Sequence, residues 1–132
     1  MSEYALRHSE PEAAGRLVRG TADRLPFKNG AFQVVLCINV IHNLERERCL
    51  AALREIERLA PGRGYVQVDA YRTEAEREIF LGWVLTAVTF LRPEEWRALF
   101  AEAGYTGDHY WTVLEADPEW NDFACSDNQH LR

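Results

Sequence analysis

The sequence predicts an α/β domain built on an open, doubly wound parallel sheet. Segments that are apolar and β-branched over the length of a strand alternate with segments of helical periodicity. The helical segments are long enough to form right-handed crossovers between parallel strands and to cover both faces of the sheet. At 132 residues the chain fits one domain. We expect this domain to comprise residues 1–116, followed by a tail, residues 117–132, whose order the sequence leaves open.

Two predicted strands frame a loop in the first third of the chain. Residues 16–22, RLVRGTA, form a short extended segment. Pro26 and the pair Asn29–Gly30 then supply the fixed and the positive backbone dihedrals that a loop needs. Residues 32–40, FQVVLCINV, are almost continuously apolar and rich in β-branched side chains. This pattern favours a central parallel strand buried on both faces over an alternating edge strand.

Helices and strands alternate in the rest of the chain. Apolar residues recur at helical spacing before Pro61–Gly62, and again at i, i+3, i+4 and i+7 after residue 74. The predicted elements are a helix beginning near Glu45 and ending before Pro61, a strand at 64–71, an amphipathic helix at 74–91, a short helix between Pro93 and Gly104, and a strand at 109–116.

The composition excludes several classes of function. Lys and Arg total 15 against 21 Asp and Glu, so the net charge of -6 argues against nucleic acid or an anionic membrane as the main partner. No apolar run is long enough to span a membrane, and the polar N-terminus is unlike a secretory signal, so we expect a cytoplasmic protein. The three cysteines have no CxxC spacing and the histidines no ligand spacing, so we expect no metal. Cys37 and Cys49 are interpreted as small buried hydrophobic residues.

A polar cluster follows the most apolar strand. Asn39, His42 and Asn43 fall at its carboxyl end, and Asp69 and Tyr71 fall at the end of the next predicted strand. In open α/β sheets, ligands bind beyond the carboxyl ends of the strands. The sequence therefore places a candidate site at this edge.

An ordered set of motifs resembles a known family. The segment GTADRLPFKNGAFQVVLCINVIHNL, a helix containing LREIERLAPGRG, a strand and AEAGY together resemble the class I S-adenosylmethionine-dependent methyltransferases, in the small-molecule branch that contains quinone-biosynthesis C-methyltransferases. The resemblance covers residues 2–115. It implies S-adenosylmethionine as cofactor and a small molecule as methyl acceptor.

The resemblance also implies what precedes these motifs in the family. Members carry a G-x-G-x-G turn and a ribose-binding acid on two earlier strands, and this sequence contains neither. We therefore expect a truncated, partial doubly wound (Rossmann-like) sheet that lacks the first two strands. Because unpaired strand edges must be covered, we also expect a homo-oligomer, with elements exchanged between chains as one way to form it.

The resemblance assigns cofactor roles to two segments. In the family the first turn lies against the adenine, and here it contains Thr21, Ala22 and Asp23, with Thr21 at the position of the family's Asp. The backbone that passes the cofactor's sulfonium corresponds to Cys37, Ile38 and Asn39. For the polar side chains of the turn, capping of the turn itself remains an equal alternative.

The remaining candidates concern the acceptor. His42 is a candidate general base, because an imidazole with a pKa near 6.5 suits proton removal at neutral pH, and Asn39 is a candidate catalytic partner. Asn43, Asp69 and Tyr71 are candidates for binding the substrate. The alternative is structural: Asn39 and Asn43 cap the following helix, and His42 is a buried polar residue beneath it. Two functions stay open, a methyltransferase and a non-catalytic relic or interaction module.

Overall fold

A four-stranded sheet organises the chain. The computed structural model describes residues 3–114 and 124–125. The strands are β1 (Val35–Ile38), β2 (Gly64–Asp69), β3 (Asp108–Val113) and β4 (Ala124–Cys125), and they lie side by side in that order. The first three are parallel, as the sequence predicts, and β4 runs antiparallel to β3. The helices are α1 (Glu3–Arg7), α2 (Pro11–Ala14), α3 (Arg46–Leu59), α4 (Glu74–Trp83) and α5 (Pro93–Ala103), and a 3-10 turn, Ile41–Asn43, lies between β1 and α3.

The core lies between one face of the sheet and two helices. Ile56 of α3 and Trp96 of α5 are buried against Val66 of β2 and Trp111 of β3. The indole nitrogen of Trp96 donates a hydrogen bond of 3.0 Å to the backbone oxygen of Asp69, so the end of β2 is tied to α5. The predicted helices that end before Pro61 and between Pro93 and Gly104 are therefore confirmed, as is the burial of Cys37 and Cys49.

The other face of β1 is open, which corrects the prediction of a central strand buried on both faces. β1 is the edge strand of the described sheet, paired on one side with β2. Val34, Leu36, Ile38 and Val40 are 56%, 64%, 51% and 42% exposed. No described helix covers them. A continuous apolar run records only that neither face is polar, so it cannot distinguish a covered face from an uncovered one.

Residues 16–22 do not form the predicted strand. The extended segment ends in a turn, closed by a hydrogen bond of 3.0 Å from the Arg24 N–H to the Thr21 carbonyl, with one isolated bridge between these two residues. The loop is held by side chains of α3, because Glu55 accepts from the Leu25 N–H at 2.7 Å and Arg58 donates to the Phe27 carbonyl at 2.8 Å. These bonds come from distant residues that a local pattern does not contain.

The predicted helix at 74–91 is half right. It begins with a capping box at Thr73, but it ends at Trp83. Residues 84–91 turn back instead, and the N–H groups of Val88 and Thr89 both donate to the His42 carbonyl at 2.9 Å. β-branched residues are frequent in this segment, and the hydrogen bonds to His42 replace those of a continued helix. Leu85, in the segment that turns back, is 96% exposed.

No helix in the described part of the chain has the length and apolar character that crossing a membrane requires. The same residues contain no group of three or more His, Cys, Asp and Glu side chains placed to hold a metal ion. The predicted tail, residues 117–132, lies outside the described residues except for β4.

Candidate functional site

A cleft opens on the uncovered face of the sheet, at the carboxyl ends of β1 and β2. Its volume is about 630 Å³. It combines side chains from the β1 end, from β2 and β3, and from the loop that follows α4. The lining residues are Asn39, His42, Asn43, Gln67, Asp69, Trp83, Val84, Leu85, Thr86, Tyr110 and Thr112. Four of the site residues predicted from the sequence, Asn39, His42, Asn43 and Asp69, therefore meet in one place.

Asn39 ends β1 in an unusual backbone conformation. Its φ is +54°, which makes it the non-glycine residue with a positive φ in the described part of the chain. Asparagine tolerates this left-handed region better than most residues. The Asn39 N–H still donates to the Gln67 carbonyl at 3.1 Å, so the chain stays on the sheet until it turns sharply into the 3-10 segment. That turn brings His42 back over the end of β2.

Asn43 is fixed against this turn. Its side-chain N–H donates a hydrogen bond of 3.0 Å to the Asn39 carbonyl. Its side-chain oxygen is buried and has no hydrogen-bond partner among the described residues. A buried acceptor of this kind is uncommon in a folded protein and is best satisfied by a donor from a ligand or water. Neither Asn39 nor Asn43 caps the helix α3, whose first turn has no side-chain cap.

His42 and Asp69 form a buried pair at the cleft. The two residues are 3% and 5% exposed. Nδ1 of His42 accepts a hydrogen bond of 3.2 Å from the Asp69 N–H and lies 3.3 Å from Oδ2 of Asp69. The backbone of His42 is held as well, because its carbonyl accepts hydrogen bonds from the N–H groups of Val88 and Thr89 in the loop after α4. The side chain and the backbone of His42 are thus both positioned by other elements.

The pKa values of the pair move toward each other. Burial raises the pKa of Asp69 to about 6, against the hydrogen bond from the Thr112 side chain, which lowers it. Burial lowers the pKa of His42 below its usual value. At pH 7 the carboxyl is therefore ionised and the imidazole neutral. Because Nδ1 accepts from the Asp69 N–H, the neutral imidazole carries its proton on Nε2, which makes Nε2 a hydrogen-bond donor and not the proton acceptor predicted for His42.

The carboxylate of Asp69 belongs to a chain of hydrogen bonds across the sheet. Gln67 donates from Nε2 to Oγ1 of Thr112 at 3.2 Å, and the Thr112 hydroxyl in turn hydrogen-bonds the Asp69 carboxylate. Thr112 lies directly opposite Asp69 in the β2–β3 register. The arrangement holds Asp69 in one orientation and, through it, the His42 ring.

The opposite wall of the cleft is apolar. Trp83, Val84 and Leu85 leave the end of α4, and Tyr110 faces them from β3. Trp83 is 60% exposed although its ring packs edge-on against the buried Phe80, with ring centroids 6.2 Å apart. The cleft thus has a polar floor and an apolar side.

The structure separates the other predicted residues from the cleft lining. Thr21, Ala22 and Asp23 form the turn beside α3, where Ala22 packs on the core and Asp23 accepts two hydrogen bonds from Arg48, at 2.7 and 3.1 Å. The Arg48 guanidinium holds the pKa of Asp23 well below its usual value. Asp23 is therefore ionised at all physiological pH values.

The predicted sulfonium segment alternates between the two faces of the sheet, and Tyr71 lies outside the cleft lining. The side chain of Cys37 points into the helix-covered core, whereas that of Ile38 is exposed on the open face. Tyr71 packs against Phe90, with centroids 4.8 Å apart, and has the guanidinium of Arg92 5.7 Å from its ring. Tyr71 does not line the cleft.

Several lining residues were missed by reasoning from the sequence. Gln67 and Thr112 alternate with buried apolar residues on β2 and β3, and this period of two is a signal that their side chains share the open face. Tyr110 carries the same signal. Trp83 and Leu85 carry no usable signal, because their role depends on where α4 ends.

One comparison with known proteins identifies the family of this chain. The family model described as "Methyltransferase domain" matches residues 1–68, slightly more than half of the chain. The chain therefore belongs to the methyltransferase-domain family, of the class I S-adenosylmethionine-dependent type. Neither the curated proteins nor the solved structures contain a significant match to it. The matched segment includes Asn39, His42 and Asn43 and ends one residue before Asp69.

The cleft lining fits the cationic part of the cofactor that this family uses and holds no partner for its carboxylate. The sulfonium and the ammonium of S-adenosylmethionine favour nearby oxygen atoms, and the buried side-chain oxygen of Asn43 has no partner among the described residues. The same lining contains neither Lys nor Arg to pair with the carboxylate of the cofactor. A donor group of the cofactor would satisfy the Asn43 oxygen.

Proposed function

We propose that the protein transfers a methyl group from S-adenosylmethionine to a small molecule, with the Nε2–H group of His42 donating a hydrogen bond to the acceptor. The observation that carries this proposal is the buried His42 at the carboxyl-end cleft, whose Nδ1 accepts from the Asp69 N–H at 3.2 Å and lies 3.3 Å from Oδ2 of Asp69. Burial of an ionised carboxylate against a histidine is costly, so this pair at the carboxyl edge favours a chemical role over a purely structural one. A small-molecule acceptor of the quinone-biosynthesis type agrees with the size of the cleft.

When bound, S-adenosylmethionine supplies an electrophilic methyl group. The residues of this chain do the rest. The Nε2–H group of His42 donates a hydrogen bond to the acceptor and so orients its nucleophilic atom, which bonds to the methyl carbon while the acceptor's proton leaves to water. The N–H and the carboxyl of Asp69 hold the imidazole in place from the Nδ1 side. Thr112 and Gln67 keep Asp69 in place. The apolar wall excludes water and holds the acceptor, and positioning supplies most of the catalysis.

Two segments are proposed to hold the cofactor. The turn of Thr21, Ala22 and Asp23 would lie against the adenine, with Asp23 ionised and itself held in place by Arg48. The backbone of Cys37, Ile38 and Asn39 would pass the sulfonium. This assignment is supported by the family match, which covers both segments. It is also supported by the left-handed Asn39, whose backbone turns away from the sheet edge at that point.

Titration calorimetry with S-adenosylmethionine and S-adenosylhomocysteine tests the proposal, together with transfer of a labelled methyl group to candidate acceptors. We expect His42→Ala to reduce kcat by about tenfold or more, because the hydrogen bond that positions the acceptor is lost, and to leave cofactor affinity within about threefold. His8→Ala is the matched control, because His8 is an exposed histidine of the N-terminal segment. No heat at millimolar cofactor together with no methyl transfer would instead identify a non-catalytic member of the family.

A further inference from the structure

The outer edge of β1 has no partner strand in the described part of the chain. β1 pairs with β2 on its other side, where β3 and β4 follow. The N–H groups of Val35 and Asn39 donate to carbonyls on the β2 side, at 3.2 and 3.1 Å. Because successive residues of a strand direct their backbone groups to opposite edges, those of Val34, Leu36 and Ile38 point outward. Another strand can pair with these groups.

The three residues with outward backbone groups also carry exposed apolar side chains. Val34, Leu36 and Ile38 are each more than half exposed, on the face of the sheet that no described helix covers. A partner strand would satisfy the polar backbone groups and shield part of the apolar side chains at the same time. Natural edge strands are usually protected by a charge or a proline, and β1 contains neither. The edge therefore has the properties of an interface.

The charges around β1 identify a second copy of this chain as the partner. Residues 29–44 contain no Asp, Glu, Lys or Arg, so two copies can approach along this segment without like charges meeting. The nearest charged residues are Lys28 before the segment and Glu45 after it, and both are exposed. In an antiparallel pair, the Lys28 end of one copy lies at the Glu45 end of the other, whereas a parallel pair brings like charges together. The edge is thus complementary to itself in the antiparallel orientation.

The backbone of β1 also determines the register. Asn39 has a φ of +54°, so regular pairing ends at Ile38. The hydrogen-bonded pairs of an antiparallel ladder join residues whose backbone groups point toward each other. A ladder centred on Leu36 uses all three outward residues, because Leu36 then faces Leu36 of the second copy and Val34 faces Ile38. We propose that two copies of this chain pair antiparallel through β1 in this register, which joins their four-stranded sheets into one.

Cysteine cross-linking, measured on non-reducing gels after oxidation with diamide, tests the register. The Cα atoms of a hydrogen-bonded antiparallel pair are about 5.5 Å apart, a separation that a disulfide spans. Leu36→Cys should therefore cross-link to its own copy in most chains. Ile38→Cys and Val34→Cys should not do so singly, because the two copies of either residue lie about 14 Å apart along the ladder. The two substitutions combined should cross-link, since Val34 faces Ile38 of the second copy.

Two controls define the background of this experiment. Leu81→Cys places a thiol on α4 at a leucine that is also exposed but lies away from β1. The unchanged chain retains its own cysteines, of which Cys37 and Cys49 are buried. Circular dichroism of each variant verifies that the fold is retained. None of the outward residues of β1 lines the cleft, so every measurement is made without cofactor.

Exchange of the flanking charges tests the antiparallel orientation. Lys28→Glu and Glu45→Lys should each raise the dissociation constant of the dimer by about threefold or more at low ionic strength, because each brings like charges together. The double variant Lys28→Glu, Glu45→Lys should restore the affinity, since opposite charges meet again. Sedimentation measures the three constants.

A dimer that cross-links through Leu36→Cys but not through Ile38→Cys alone, and whose affinity the double charge variant restores, supports the inference. An unchanged chain that stays monomeric in light scattering at every concentration overturns it, whether or not any variant folds. Equal cross-linking of Leu36→Cys, Ile38→Cys and Leu81→Cys also overturns it, because random collision then explains the products. A dimer whose affinity the double charge variant fails to restore overturns the antiparallel orientation. Each of these failures leaves the proposed methyl transfer intact, since no measurement involves the cofactor.

Discussion

Replacing Asp69 with asparagine should make the protein more stable at neutral pH and inactive. Asp69 is almost fully buried, and burial raises its pKa from 3.8 to about 6. The folded state therefore holds the neutral carboxyl more favourably than the unfolded chain does. This contribution to stability is fully present below pH 4 and is lost as the pH rises through about 6. A difference of about two pH units corresponds to about 3 kcal/mol.

Urea unfolding followed by circular dichroism, at several pH values between 4.5 and 8, measures this effect. The free energy of unfolding of Asp69→Asn should increase relative to the unchanged protein by about 2–3 kcal/mol across this range, because the asparagine has no charge to bury. Other carboxyls, such as those of Glu55 and Glu76, titrate in both proteins and cancel in the difference. A difference that does not vary with pH would refute the argument that Asp69 is ionised at a cost.

Asp23→Asn is the control with the opposite sign. Its carboxylate is bound by Arg48, which holds the pKa of Asp23 below its usual value. Its stabilisation is present at neutral pH and is lost only when the carboxylate is protonated in acid. This variant should therefore be less stable than the unchanged protein at pH 7 and approach it as the pH falls. Activity is measured alongside stability, because the substitution removes the carboxylate oxygen that lies 3.3 Å from Nδ1 of His42.

Two further predictions concern the sheet. The free edge of β1 belongs to an uncharged segment, residues 31–41, so two copies can pair along it antiparallel without like charges meeting. Light scattering should therefore show a dimer, which Leu36→Lys converts to a monomer and the control Leu81→Lys leaves intact. A monomer before any substitution would reject this pairing. Gly107→Ala should destabilise the fold by about 2–4 kcal/mol in urea unfolding, because its added methyl group would collide with the backbone of β2. The control Gly15→Ala has open space around it and should change the free energy of unfolding by less than about 1 kcal/mol. Equal effects of the two substitutions would contradict the packing.

The predictability of the elements depended on where their partners lie. The helix α3 has its apolar stripe, its charged face and its terminating Pro61–Gly62 within one local segment, so its pattern was sufficient. The strand predicted at residues 16–22 failed because Glu55 and Arg58 of α3 satisfy the backbone of the neighbouring loop. Those bonds join residues about 30 positions apart, and no local propensity contains them.

The candidate site was predictable for the part that follows from topology. Parallel strands end at one edge of the sheet, so Asn39, His42 and Asp69 could be placed together before any contact was known. Thr112 could not, because its role follows from the register that sets it opposite Asp69. The sequence shows the alternation of side chains along β3 but not which residue of β2 each one faces.

The end of α4 explains why the lining residues Trp83, Val84 and Leu85 could not be predicted from the sequence. The periodicity from residue 74 continues past Trp83, and a helix there would have carried Leu85 away from the sheet. The N–H groups of Val88 and Thr89 instead donate to the carbonyl of His42. These two hydrogen bonds hold His42 and fix the loop that contains Val84 and Leu85 beside it. The position of His42 and the shape of the cleft are therefore coupled. A substitution that extends the helix through residues 84–91 should disturb both together.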